Sequence, residues 1–402
     1  MTSRRGILRI DLRLWLLAAL TMLALARAAA AADQPFSKWF RYGADVELAW
    51  DVRGDPANPL QVVIRSKDAK DSAPAYRILV LYPRASSAYD TEITRILRVF
   101  DDKEVNAEFT IINFEIKDDA GKAAIRYAES NKFNLIYAMG SESTAWLYDN
   151  YLGGALPVVS VCSKDPVQLG QMKDYEHGSG TNFAYTSLNV QVEVQLSYLM
   201  DMAPDLKNLA ILVDSKNVSA VKTQAEPIAD AARKGGIQPI MAAVQDPKRA
   251  REELAQIVPN VIRTMRKSDP DLSKSVFLIT GSTSVFGEIA TINKYADRVP
   301  VVSMIPEIVT TGSDTALLGI GVSFESNAQL AAIYGIDILS GKAKVGDLKV
   351  GVVSPPDIAI SFLKARQIGK RIPFHFFEGA SSVYDVNGRA VRTPVRAAEA
   401  KN

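Results

Sequence analysis

The chain has 402 residues, enough for two to three domains, and its 48% hydrophobic and 23% charged content is that of a packed globular protein and excludes a disordered one. Lys and Arg number 47 against 45 Asp and Glu, so net charge gives no support to a nucleic-acid or anionic-membrane partner. A single cysteine, Cys162, excludes an intramolecular disulfide and any iron–sulfur cluster or thiolate metal site built from this chain alone, and two histidines, His177 and His375, are a poor basis for a zinc site.

Residues 1–13 are basic, residues 14–26 (LWLLAALTMLALA) are apolar apart from Thr21, and residues 28–32 are small, so 1–32 reads as a cleaved secretory signal peptide and the mature protein as periplasmic. The thirteen apolar residues would rise only about 20 Å as a helix, short of the roughly 30 Å hydrocarbon core, which disfavours a membrane anchor. Arg4 and Arg5 fit a twin-arginine export signal, and a plain basic leader fits as well. Removal of the five arginines and one aspartate of this segment leaves 42 basic and 44 acidic residues, a net charge of −2. With no cysteine near the cleavage point for a lipid and no second apolar stretch of eighteen residues, the mature chain is expected to be free of the membrane and monomeric.

Residues 33–75 are irregular, with Trp39, Phe40, Trp50, a Gly54-Asp55-Pro56 turn and a β-like 60–64, and read as an extension holding a hairpin at most. From there short β-branched apolar runs at 78–82, 109–112, 135–138 and 158–161 alternate with helical stretches. In the first of these, Ile93, Ile96, Leu97 and Phe100 share one helical face. That alternation is the pattern of βαβ units and a parallel sheet. It recurs after a glycine-rich polar passage at 178–187, with a helical stripe at 192–203 and strand-like runs at 209–213, 239–242, 276–280 and 299–302. Further crossings are expected at 319–323 and 341–345, then a strand at 350–353 and a last helix at 360–369. The fold class is therefore α/β, two doubly wound Rossmann-like lobes joined by three hinge crossings. Residues 76–185 with 319–342 form the first lobe, 186–318 with 343–385 the second, and 386–402 an exposed tail.

Catalytic and cofactor signatures are absent: there is no Gly-x-Ser-x-Gly elbow, no GxxxxGK[ST] loop, no HExxH and no GxGxxG after a strand. Residues 277–287 (FLITGSTSVFG) resemble a phosphate loop but lack its lysine, and helix capping by residues 282–284 accounts for them. Cys162 has no evident base beside it and reads as a buried structural thiol. What recurs is hydroxyl-bearing sequence at the carboxyl ends of strands, where open α/β sheets bind ligands. In the first lobe these loops offer Arg84, Ser86, Ser87 and Tyr89, then Gly140, Ser141, Glu142 and Ser143, then Ser163 and Asp165. In the second they offer Ser215 and Asn217, then Gly281, Ser282 and Thr283, then Ser303. Each loop taken alone is equally explained by capping and turn chemistry. Tyr89, Phe286 and Phe324 could stack on a ring or belong to the core.

The segments ILVLYPRASS, YAMGSEST, PVVSVCSKDPVQLGQM, RVPVVSM and LLGIGVSFESNAQLAAIYGIDILSGK, in this order between Ile78 and Ile372, resemble the substrate-binding proteins of ABC transporters with the type I periplasmic-binding fold, in particular the family of tryptophan and tyrosine binders. The resemblance implies two lobes that close on a small molecule and deliver it to an ABC permease of the inner membrane, with no cofactor, no catalysis and no nucleic-acid partner. It also exposes departures. Where the family carries acidic residues after the first and third strands of the second lobe, this chain reads Lys216-Asn217 and Gly281-Ser282-Thr283. The ammonium of an amino acid would need a carboxylate there, so the expected ligand is a neutral or anionic small organic molecule. A periplasmic sensor that docks on a receptor kinase would need the same cleft, while a secreted enzyme lacks a nucleophile and base in this sequence.

Overall fold

The computed structural model describes residues 35–67 and 75–393, and the expected signal peptide lies outside the described residues. Two sheets organise the chain. The first contains β1 (Trp50–Asp55), β2 (Asn58–Ser66), β3 (Tyr76–Tyr82), β4 (Ala107–Asn113), β5 (Leu135–Met139), β6 (Val158–Val161) and β7 (Phe183–Ala184) in the order β1-β2-β4-β3-β5-β6-β7. The strands from β4 to β7 run parallel, joined by helices α1 (Ser87–Asp102), α2 (Asp118–Ser130) and α3 (Gly140–Tyr151), as right-handed crossovers require. Ile93, Ile96, Leu97 and Phe100 turn the apolar face of α1 onto the sheet and are fully buried. Each such side chain contributes about 1.5–3 kcal/mol by leaving water.

Residues 50–66 do more than an appended hairpin would. β1 and β2 pair with each other, and β2 pairs antiparallel to β4, so the segment extends the first sheet by two strands. Just before it, Phe36, Trp39 and Phe40 are buried against Tyr82, with ring centroids 5.9 Å apart for both Trp39–Tyr82 and Phe40–Tyr82.

The second sheet contains β8 (Asn208–Asp214), β9 (Gln238–Val244), β10 (Ser275–Ile279), β11 (Val301–Ser303), β12 (Leu318–Gly321), β13 (Asp357–Ser361), β14 (Ser382–Tyr384) and β15 (Ala390–Arg392), in the order β15-β14-β13-β12-β11-β10-β8-β9. β9, β8, β10, β11 and β12 are parallel and carry α4 (Val192–Met202), α5 (Glu226–Lys234) and α6 (Ala250–Met265) among their connections. β13 joins antiparallel to β12 and β15 antiparallel to β14, so the sheet is mixed at one side.

The crossings differ in place from the sequence expectation. Residues 319–321, expected in the first lobe, pair within β12 of the second sheet, because Leu318 and Gly319 continue its hydrogen-bonded ladder beside β11. The chain then returns through residues 322–323 into α7 (Phe324–Leu339), which packs on α1. Residues 343–350, expected in the second lobe, stay with the first. The Gly180 N–H donates to the Gly346 carbonyl at 2.9 Å, and Val350 is buried in the first lobe's core with Leu79, Phe183 and Tyr185. The expected strand at 350–353 amounts to a single bridge between Thr186 and Gly351, and the strand forms instead at β13. The third crossing thus follows Gly351, beside the first, where the Ser187 N–H donates to the Gly351 carbonyl at 2.9 Å. Part of the expected tail is also ordered, as β15 makes the sheet edge with Val391 62% exposed.

Asn327 of α7 fastens this region. Its Oδ1 accepts the Cys162 N–H at 3.0 Å and the Thr186 hydroxyl at 3.3 Å, linking the end of β6, the first crossing and the second. The Ser323 N–H donates to Asp357 Oδ2 at 3.0 Å and ties the second crossing to the start of β13.

Candidate functional site

The carboxyl ends of the parallel strands of both sheets face one another across a cleft. There a cavity of ≈ 50 Å³ is lined from the first lobe by Arg84, Ser86, Tyr89, Ser141, Glu142, Cys162 and Lys164, and from the second by Asn217, Ser219, Gly281, Thr283 and Phe286. Leu188 of the first crossing and Phe324 at the start of α7 complete the wall.

Half of the residues proposed from the sequence meet here: Arg84, Ser86, Tyr89, Ser141, Glu142, Asn217, Gly281 and Thr283. Arg84 and Glu142 pair at 2.8 Å across two loops, so their charges offset each other at the rim, and the Arg84 guanidinium sits 5.8 Å from the Tyr89 ring centroid. Tyr89 reaches over the start of α3 because Gly140, at φ +81°, has no side chain; a β-carbon there would stand 2.2 Å from the tyrosine oxygen. From below, the Tyr82 hydroxyl donates to the Tyr89 carbonyl at 3.0 Å. Ser141 Oγ accepts the Lys164 N–H at 2.9 Å and so holds the loop after β6 against the loop after β5.

The other proposed residues lie outside the cavity lining, and most are engaged elsewhere. Ser87 is exposed on the first turn of α1. Ser143 is buried and donates to the Leu81 carbonyl at 2.9 Å, and Ser163 lies behind Ser141 with its hydroxyl 3.3 Å away. Asp165 caps a turn by accepting the Val167 and Gln168 N–H groups and takes a short hydrogen bond from the Tyr175 hydroxyl. The Ser215 hydroxyl donates to Gln245, and Ser303 Oγ accepts the Ile305 N–H. Ser282 makes no capping bond to the short helical turn that follows it; instead its Oγ accepts the Asp214 N–H at 3.3 Å. Asp214, the carboxylate nearest the end of β8, is spent on Ser284 Oγ at 2.7 Å and the Lys216 N–H at 2.8 Å.

The residue that sequence reasoning missed is Lys164. A lysine between a serine and an aspartate after a strand reads as a solvated loop charge, yet Lys164 is 6% exposed. Its Nζ rests on Gly281 of the opposite lobe, at 2.3 Å from where a β-carbon would be. The available signal was its place two residues after the strand-like run 158–162, at the carboxyl end of β6. Around it lie two further buried groups. Burial pushes the Glu92 carboxyl well above the usual carboxylate range, against the pull of the Cys162 thiol and Lys164, and burial likewise pushes the Cys162 thiol up. Burial lowers the Lys164 pKa, which Cys162 and Glu92 partly oppose.

Comparison with known proteins places this architecture. No curated protein matches the chain by sequence. Among solved structures, a conserved domain protein from Vibrio cholerae is similar at 19% identity and a TM-score of 0.61, over 77% of this chain and 100% of that one. An ABC domain from Streptococcus pneumonia solved in complex with L-Trp is similar at 17% identity and a TM-score of 0.60, over 76% and 99% of the two chains. A substrate binding protein with adhesive properties from Clostridium difficile, in its ligand-free, open structure, is similar at 19% identity and a TM-score of 0.57, over 77% and 99%. These likenesses bear on the fold, which is that of the type I periplasmic binding proteins. The family model for ABC transporter substrate binding proteins matches residues 101–382, well over half of the sequence, and the chain therefore belongs to the ABC transporter substrate-binding protein family.

Proposed function

We propose that the mature chain is a periplasmic solute-binding protein that encloses a small organic molecule between its lobes and hands it to the permease of an ABC importer, without transforming it. The observation that carries this reading is the cavity at the carboxyl ends of both sheets, walled by loops of each lobe, by the first crossing and by the start of α7. A ligand held there contacts both lobes at once, so binding energy can be spent on bringing them together. Family membership supports the transport role. The polar groups around the cavity are hydrogen-bond donors and acceptors and one paired ion bridge, which suit recognition of a solute.

The test is to purify the processed chain from a periplasmic extract, identify by mass spectrometry what is released on denaturation, and titrate that compound back. A one-to-one complex, together with loss of uptake of the same compound when the gene is deleted, is the expected result. Binding without any loss of uptake would remove the transport role and leave a sensor.

A further inference from the structure

We infer that Lys164 makes the cleft selective for a small organic carboxylate that carries no ammonium group, a reading that rests on the solute-binding function proposed above. Among the described residues Lys164 Nζ has no hydrogen-bond or ion-pair partner, although the residue is only 6% exposed and lies at the inter-lobe cavity. A buried ammonium without a partner is costly, and the cost is relieved by an anion arriving from solution.

The surroundings leave that role to a ligand. Arg84 and Glu142 are committed to each other, and Asp214 and Asp165 are turned into their own loops. Glu92 lies nearby, but no ion pair joins it to Lys164: both its oxygens are buried without a hydrogen-bond partner, and burial pushes its carboxyl up. Of the two basic groups that line the cavity, Arg84 is paired, and Lys164 is left without an ion-pair partner among the described residues. Ser86 and Thr283 add hydroxyls with no partner among the described residues, and Tyr89, Phe286 and Phe324 supply an apolar surface for the rest of the ligand. No free carboxylate faces an ammonium, so a zwitterion would bring a second charge into the cleft with nothing to meet it.

The experiment is calorimetric titration and thermal shift of the full mature chain with benzoate, phenylacetate and isovalerate, each against its neutral amide, and with phenylalanine and glucose. At least one carboxylate is expected to bind at least tenfold more tightly than its amide. Lys164→Met should bring that ratio to near one while keeping the melting temperature of the free protein at or above the parent value, since it removes a buried charge. Lys164→Ala, a second variant with its own melting curve, should give the same loss of selectivity. Equal affinity for acid and amide, or a ratio that survives in a folded Lys164→Met, overturns the inference. If phenylalanine or glucose binds and the carboxylates do not, the inference falls and the binding function stands; if nothing binds and nothing copurifies, both fall.

Discussion

Lys164 Nζ of the first lobe stands 2.3 Å from the position a β-carbon would take on Gly281 of the second, so a side chain of one lobe rests on bare backbone of the other. The Gly281 N–H is itself held, donating to Gln224 Oε1 at 2.8 Å, so this backbone has little room to retreat.

Gly281→Ala should therefore push the ammonium aside without disturbing either sheet. The expected result is at least a tenfold loss of affinity for the copurifying ligand, with unfolding free energy changed by less than about 1 kcal/mol. Calorimetry and urea denaturation on the same preparation measure the two quantities. Unaltered affinity would mean that the contact plays no part in the bound state.

Asn327→Ala should act on stability. It strips the acceptor from the buried Cys162 N–H and from the Thr186 hydroxyl, and an unsatisfied buried donor costs about 1–3 kcal/mol. A lower urea midpoint with an unchanged slope is expected, because the surface exposed on unfolding stays the same. Because Asn327 joins the first and second crossings, the variant should also leave its lobes more freely hinged, visible as faster hydrogen exchange at residues 186–188.

Acidity should stabilise the protein through Glu307. Burial raises its carboxyl to about 7, even though the Phe324 N–H donates to Oε1, and its Oε2 is buried with no partner. The folded state keeps a proton that the unfolded chain has released, so this contribution is fully present below about pH 4.5 and is lost as pH rises through about 7. Asp90, raised to about 6 mainly by burial, adds in the same direction. Denaturation at pH 5 and pH 8 should differ by on the order of 2 kcal/mol from Glu307 alone, and Glu307→Gln should flatten that part of the profile. A profile unchanged by the substitution would show that the carboxyl is ionised throughout.

Ligand removal should open the molecule. With three crossings gathered around Asn327 and the Gly351 bridge, the lobes are expected to part by rotation about that bundle, and small-angle scattering should give a larger radius of gyration for the stripped protein than for the complex. Equal radii at saturation would place the bound state in the open form.

Much of this was legible because buried parallel strands advertise themselves as β-branched apolar runs. The runs at 78–82, 135–138, 158–161, 209–213 and 276–280 each fall within or almost within an observed strand. Segments with mixed polarity were harder. Residues 58–66 form β2, one strand in from the sheet edge, whose in–out pattern is diluted by Arg65 and Gln61, and the apolar run 350–353, with Val350 buried and Val352 exposed, serves as a crossing that makes only the one bridge to Thr186. At the site the same division holds. Loops were found through their hydroxyls, but which hydroxyl faces the cleft depends on backbone direction, so Ser141 lines it while Ser143 binds the Leu81 carbonyl. Lys164 escaped because burial of a charge depends on what the other lobe places beside it, and that is a contact between residues far apart in sequence.

The hairpin of residues 50–66 changes what the first sheet shows to the outside. Without it, β4 would carry a full row of unpaired N–H and C=O groups along its free side, the kind of bare margin onto which a second polypeptide can zip. With it, the outermost strand is β1, short and carrying Asp51, Arg53 and Asp55, whose charges discourage another chain from pairing there. A shortened form that kept only residues 75–393 would bare that margin together with the core faces that Trp50, Val62 and Ile64 cover, and would be expected to form edge-paired oligomers as its concentration rose.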